Sequence, residues 1–281
     1  MLIPLYVPYP TLTFATVFLA EELGYLSAAA PNVRIVMGGM ERYAAVLKGQ
    51  EPGIVLPMSY AVRAYNFGGH PRVFCSVFDQ VVHRLVAKPE VRSLADLRGR
   101  MVMVNVFGGT SDLEARTVLR RGGVDPGTVQ FVEAGPDLEM AQLRALRLGE
   151  VDAIASSAPF WYVAQQEGFV VLGDAKHYSR WLAVGLIADE QWITTAHETV
   201  PGLTDSLRRA THFLRSAPRS AAEILASRIP EFSEEVGGVI IGRLSDAWNT
   251  VIDLIGLDAY VRAFCSEFRL TCPRSQDLAL E

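Results

Sequence analysis

From Leu2 to Ala188 the chain alternates short apolar runs with stretches of helical periodicity, and few folds accommodate that rhythm. LIPLYV reads as a buried strand, and TLTFATVFLAEELGYL as an amphipathic helix stopped by Gly24. A strand at Val33–Met37, a helix over Met40–Lys48, a strand at Gly53–Pro57 and a helix from Ser59 follow. Turn chemistry at Gly68-Gly69-His70-Pro71 leads into a strand at Val73–Phe78, and His83–Ala87 reads as a strand leaving this first lobe. Strands separated by helices of such length imply parallel βαβ units.

A second series then begins. Ser93-Leu94-Ala95-Asp96 has the form of a capping box, and Gly99 ends its short helix. Met101–Val106 is a strand, Gly108-Gly109 a loop and Ser111–Arg121 a helix; Val129–Val132, Leu138–Leu148, Val151–Ala155, Pro159–Gln166 and Phe169–Leu172 continue the alternation. Leu182–Ala188 is an apolar strand suited to return to the first lobe. Beyond Asp189 the pattern is helical, with breaks expected near Pro201, Pro218 and Pro230. The expected domains are 1–86 with 183–281, carrying the helical C-terminal third, and an inserted α/β lobe at 87–182.

Composition narrows the functional classes. Half of the 281 residues are hydrophobic and 20% charged, which excludes disorder and coiled coil, and this length favours two cores over one. A net charge of −5 disfavours a nucleic-acid partner. No apolar run reaches the roughly 18 residues of a membrane span, so no direct insertion is expected. The start, MLIPLYVPYP, shows no charged n-region, h-region or cleavage site; export with a removed leader and an intracellular site both stay open. Cys75, Cys265 and Cys272 are too few and irregular for a zinc site; Cys265 and Cys272 either pair under oxidising conditions or remain thiols. No metal or other cofactor is expected.

Several motifs together resemble one family. EELGYL, the following GG loop, VRSLADLRGRMVMVNVFGGTSDLEARTVLRRGGVDP and LRLGEVDAIASSAPFWYVAQQEGFVVLGD are similar to segments of the solute-binding proteins of nitrate, sulfonate and taurine transporters, which group with thiamine-pyrimidine synthase-like proteins. The resemblance runs from about Pro8 to Asp174; the helical remainder agrees in pattern only. It implies a type II periplasmic-binding-protein fold, two α/β lobes around a hinged cleft.

In open α/β sheets ligands sit beyond the carboxyl ends of strands, beside helix amino termini. That rule selects Tyr9-Pro10-Thr11, Gly38-Gly39-Met40, Met58-Ser59-Tyr60, Gly108-Gly109-Thr110-Ser111, and Ser156-Ser157 with Pro159-Phe160-Trp161. The Gly108-Gly109 loop lets backbone N–H groups approach an anion at a helix terminus, with Thr110 and Ser111 adding hydroxyls. In the resembled family this loop contacts ligand. Ser111-x-x-Glu114 also reads as a capping box, and Ser59 and Thr11 either touch ligand or cap helices. Gly38 and Gly39 allow close approach or only a turn. Phe160 and Trp161 suit stacking on an organic ligand or packing in the protein. Trp181 and Tyr178 either close the cleft or are ordinary surface-loop aromatics; His83 and Arg84 lie beside the expected hinge, where either one points into the cleft, and Arg84 either meets an anionic ligand or forms a structural ion pair. Asp79 either fixes a turn or touches ligand. His70, His177, His197 and His212 show no metal spacing and read as surface residues, and Glu133, Asp137 and Glu139 read as a helix start.

The expected function is the substrate-binding component of an ABC importer, a monomer that captures a small organic anion or heterocycle by hinge closure. Its partners are the small-molecule ligand and, if exported, a membrane permease; it is periplasmic if a leader was removed and cytoplasmic otherwise. The alternative is a cytosolic enzyme on the same fold, a desulfinase, decarboxylase or pyrimidine- or menaquinone-pathway enzyme. Against it, desulfinase-like relatives carry a cysteine near the first strand–helix junction, where this chain has Tyr9, Pro10 and Thr11, and the dense cysteine motif of thiamine-pyrimidine synthases has no counterpart here. Cys75, within VFCSVF, reads as a core thiol.

Overall fold

A computed structural model describes residues 2–135, 137–173, 181–196 and 198–280. Its strands are β1 (Ile3–Val7), β2 (Val33–Met37), β3 (Val55–Pro57), β4 (Pro71–Phe78), β5 (Arg84–Ala87), β6 (Met101–Val104), β7 (Gln130–Glu133), β8 (Ala153–Ser156), β9 (Val170–Gly173) and β10 (Val184–Asp189). Its helices are α1 (Ala15–Glu22), α2 (Tyr25–Ala29), α3 (Tyr43–Val46), α4 (Met58–Asn66), α5 (Thr110–Arg121), α6 (Glu139–Leu148), α7 (Phe160–Gln166), α8 (Glu190–Thr195), α9 (Thr199–Ser216), α10 (Pro218–Ala226), α11 (Glu234–Leu244), α12 (Leu254–Phe268) and α13 (Ser275–Leu278). The chain divides into two compact units, Met1–Gln80 with Arg180–Glu281, and Val81–Ser179.

In the first unit β1 and β2 run parallel, and a parallel bridge from Leu5 to Ile54 extends this edge to the start of β3. β10 lies between β3 and β4 and is antiparallel to both. All six β10 residues are buried, as an apolar central strand requires. Gly185 belongs there because a Cβ would meet Val73 Cγ2 at 2.5 Å and the Cys75 carbonyl at 2.9 Å. The segment expected to form an amphipathic helix is buried on every side from Thr11 to Ala20; it opens as a 3-10 turn at Leu12–Phe14 and continues as α1, a core helix that reaches solvent only at its end, Glu21 and Glu22.

The C-terminal helices complete this unit. α9 buries Leu203, Leu207, Ala210 and Leu214 at helical spacing. Pro201 does not break the chain: it occupies the first turn of α9, where its missing N–H costs no helical bond. Pro218 does mark a start, at the first position of α10. Asp189, Ser233 and Asp253 cap α8, α11 and α12 through their side chains. Fully buried Trp248 donates Nε1–H to the Leu12 carbonyl at 3.2 Å, tying the helical third to the first strand–helix junction.

The second unit is a five-stranded sheet in the order β7-β6-β8-β5-β9. β6 is parallel to β7 and β8, whereas β5 is antiparallel to β8 and β9. Because Arg84 pairs with Ser156 and Ala87 with Ala153, the segment from His83 to Ala87, read in the sequence as a strand leaving the first lobe, belongs to this sheet. Its core packs Leu85, Val102, Val104, Val118, Leu119 and Ala155 together. Asp96 accepts the Ser93 amide at 2.9 Å and opens a 3-10 turn at Leu94–Leu97. Among the described residues no helix is long and apolar enough to cross a membrane.

Candidate functional site

In the second unit the carboxyl ends of parallel β6 and β8 share one edge, and antiparallel β5 begins there. That edge gathers His83 and Arg84, Asn105 through Ser111, and Ser156 through Trp161. At its centre is a buried polar network. Glu114, on α5, accepts the Val82 N–H at 3.0 Å and the His83 N–H at 2.7 Å, and its Oε2 lies 2.6 Å from His83 Nδ1. On the other side of the imidazole, Nε2 lies 3.4 Å from Glu139 Oε1. Glu139 also accepts the Ser157 N–H at 2.9 Å, the Ser157 hydroxyl at 2.8 Å and the Ser156 hydroxyl at 3.1 Å. Asn105 Nδ2 donates to Glu139 at 3.3 Å, and Gln142 Nε2 donates to Asn105 Oδ1 at 2.9 Å.

Every member of this network is buried, so charge can persist only by pairing. Burial alone would lower the pKa of His83; attraction and hydrogen bonding from Glu114 and Glu139 overcome it and raise the pKa from 6.5 to about 9. Burial likewise opposes ionisation of Glu139, but His83 and Ser157 hold its carboxyl below the usual range. His83 is thus clamped between the Glu114 and Glu139 side chains, which favour its protonated form.

The glycine loop adjoins this network. Gly108 has φ 63° and donates its N–H to Asp112 Oδ2 at 2.8 Å; Asp112 Oδ1 in turn pairs with Arg116 Nε at 2.5 Å. Gly109 precedes the first turn of α5, and half-buried Thr110 begins it. Ser111 accepts the Asn105 N–H at 2.9 Å, and Glu114 turns to the His83 segment, so the capping box read from Ser111-x-x-Glu114 is replaced by two longer-range contacts. Phe160 and Trp161 are buried, and the Arg84 guanidinium stacks 3.7 Å over the Trp161 ring.

In the first unit, the carboxyl ends of parallel β1 and β2 likewise share an edge, closed by a hydrogen bond from the Gly38 N–H to the Val7 carbonyl at 2.8 Å. Half-buried Tyr9 meets Phe14 edge-on, and Thr11 is buried. Gly39, at φ 73°, has no room for a Cβ, which would lie 2.5 Å from the Tyr6 ring. Tyr43 packs between Tyr6 and Tyr60, and the Tyr60 hydroxyl reaches Met40 Sδ at 3.6 Å, bringing α4 to the glycine turn. Ser59 is buried beside it.

The other candidates scatter. Asp79 is buried with Asn249 Nδ2 at 3.3 Å. Trp181 is buried edge-on to Tyr260. His70 and His212 are exposed, while Tyr178, His177 and His197 lie outside the described residues. Glu133 accepts the Phe107 N–H and exposed Asp137 faces Arg144 at 3.7 Å, so only Glu139 of that acidic trio enters the network. All three cysteines are free thiols. Burial pushes Cys75 up to about 12. Sequence reasoning took Glu114 only as a capping partner and Glu139 only as part of a helix start, and it did not reach Asn105 or Gln142. The available signal was a carboxylate on an apolar face: Glu114 lies one turn before Val118, and Glu139 one turn before Leu143.

Two α/β units of this topology define the fold of periplasmic binding proteins. A structure from Bordetella bronchiseptica RB50 matches with a TM-score of 0.81 at 19% identity, covering 99% of this chain and 94% of that one. The alkanesulfonate-binding protein SsuA from Xanthomonas axonopodis pv. citri, bound to MOPS, matches at 0.79 and 15%, covering 99% and 98%. A cysteine-to-serine mutant of the desulfurization enzyme DszB, in complex with biphenyl-2-sulfinic acid, matches at 0.72 and 16%, covering 100% and 96%. The family model NMT1/THI5 like matches residues 11–221, and the chain belongs to that family. No curated protein matches it by sequence.

Proposed function

We propose that the protein is the substrate-binding component of an ABC importer, taking a small organic anion of the sulfonate, nitrate or taurine type, or a heterocycle, between its two units by hinge closure. Family membership and the similarity to SsuA support this reading. The observation that carries it is the second unit's edge, where the start of α5, with Gly108 and Gly109, follows directly on β6. On this reading Tyr9, Thr11, Gly38, Gly39, Ser59 and Tyr60 supply ligand contacts from the first unit. Gly108 to Ser111, Ser157, Phe160 and Trp161 supply them from the second. Closure shifts an existing open–closed equilibrium, and the closed form docks on a permease outside the cytoplasm.

The similarity to DszB gives the competing reading less support. The first strand–helix junction carries Tyr9, Pro10 and Thr11, and the three cysteines sit in β4, in α12 and after it. Calorimetric titration with methanesulfonate, taurine, nitrate, benzoate and a pyrimidine, followed by chromatographic recovery, tests the proposal. One class is expected to bind and return unchanged. A hit that is consumed makes the protein an enzyme, and a panel without any binding removes the anion-carrier reading.

A further inference from the structure

α12 ends in a turn that returns the chain onto its own last residues. Arg269 adopts φ 54°, and the Leu270 N–H bonds back to the Cys265 carbonyl at 3.0 Å. Asn66, at the end of α4, then grips the next residue from both sides. Its Nδ2 donates to the Thr271 carbonyl at 2.9 Å, and its Oδ1 accepts the Thr271 N–H at 2.9 Å. Thr271 is thereby fixed against α4, and Cys265 Sγ, on α12, lies 3.6 Å from its carbonyl oxygen. The next residue is Cys272, so the contact of Cys265 Sγ with the Thr271 carbonyl brings α12 against the residue that directly precedes the second thiol. Both cysteines line one surface cavity of about 620 Å³, together with Arg262 and Arg274. Cys265 is buried and Cys272 exposed, so an external reagent meets one thiol first and finds the second behind it.

We propose that Cys265 and Cys272 are an attacking and resolving pair that closes to a disulfide when the protein meets a small-molecule or protein disulfide. The Cys272 thiolate attacks one sulfur of the oxidant, expelling the other as a thiolate and leaving a mixed disulfide. The Cys265 thiol then gives up its proton and attacks Cys272 Sγ, releasing the second oxidant thiolate. Two protein thiols become one disulfide, the two electrons reduce the oxidant's disulfide to two thiols, and the protons pass to these products. The new bond staples α12 to the tail. That tail docks on β4 through Leu280 N–H to the Val73 carbonyl at 2.9 Å and Arg72 Nη1 to the Gln276 carbonyl at 3.0 Å. Cys75, buried in β4, takes no part.

The test treats the reduced full-length protein with oxidised glutathione under argon, then counts thiols in denaturant and digests with trypsin. Cleavage after Arg262, Arg269 and Arg274 puts the two cysteines on separate peptides, 263–269 and 270–274. The proposal expects the count to fall from three to one. It also expects the two peptides to run as one species about 2 Da lighter than their sum, and the melting temperature to rise by a few degrees until dithiothreitol reverses it. Cys265→Ser should instead stop at a stable glutathione adduct on Cys272. Three unreacted thiols, a persistent adduct on Cys272 in the wild type, or a disulfide between two chains would each overturn the proposal.

Discussion

Glu114 Oε2 lies 2.6 Å from His83 Nδ1, inside the second unit and shielded from water. The same carboxylate takes the N–H groups of Val82 and His83. One side chain on α5 therefore fixes both the backbone leading into β5 and the charge state of the residue before it.

This pair gives a pH signature. His83 holds its proton more tightly when folded, so its contribution is complete below about 6.5 and drains away as pH rises through about 9. Glu139 is shifted the other way; its contribution is present above the ordinary glutamate range and is lost as pH falls. Urea unfolding across pH should show a plateau with an alkaline decline approaching pH 9. Glu114→Gln should lose about 3 kcal/mol at neutral pH, as expected when one partner of a buried pair is removed, and should move the decline toward neutrality. An unchanged profile would refute the clamp.

Ser157→Ala removes one of the donors to Glu139 and leaves the Ser157 N–H and Ser156 hydroxyl in place. Stability should fall by about 1–2 kcal/mol. A loss as large as that of Glu114→Gln would mean that the hydroxyl, and not the imidazolium, sustains the buried carboxylate.

Gly38 and Gly39 both have φ above 70° but differ in surroundings. A Cβ at Gly38 meets nothing within 4 Å, whereas one at Gly39 strikes the Tyr6 ring. Gly38→Ala should cost about 1 kcal/mol of backbone strain, and Gly39→Ala clearly more in the same denaturation assay. Equal losses would show that the Tyr6 contact is without consequence.

Cys75→Ser should leave ligand affinity and ligand recovery untouched, because the thiol is buried in β4 and burial disfavours its thiolate. A change in ligand turnover on this substitution would make Cys75 a candidate nucleophile.

Much of the fold was legible in the chain because burial imprints periodicity. β2 falls on Val33–Met37 as read, and the glycine loop does open α5. Reading failed where a contact crossed distant segments. Glu114 looked like the partner of Ser111 three residues away, yet its partner is His83, a pairing that no local pattern announces. The strand at β5 was found but assigned to the wrong unit, since an antiparallel return is invisible without Ser156 beside Arg84. The segment that opens at Thr11 and runs into α1 was read as amphipathic, yet its threonines, Thr11, Thr13 and Thr16, are all buried.

The proposed function requires one ligand to depend on residues of each unit. Melting temperature against the ligand panel tests it in the wild type and in two variants, Gly109→Leu in the second unit and Tyr60→Leu in the first, each referred to its own unliganded value. A ligand that binds only the folded state, at 100 times its Kd, adds about 2.7 kcal/mol of stability, a readily measured rise. The account predicts a rise in the wild type that disappears in both variants, with the ligand recovered intact. A rise abolished by only one variant, or by neither, would contradict it.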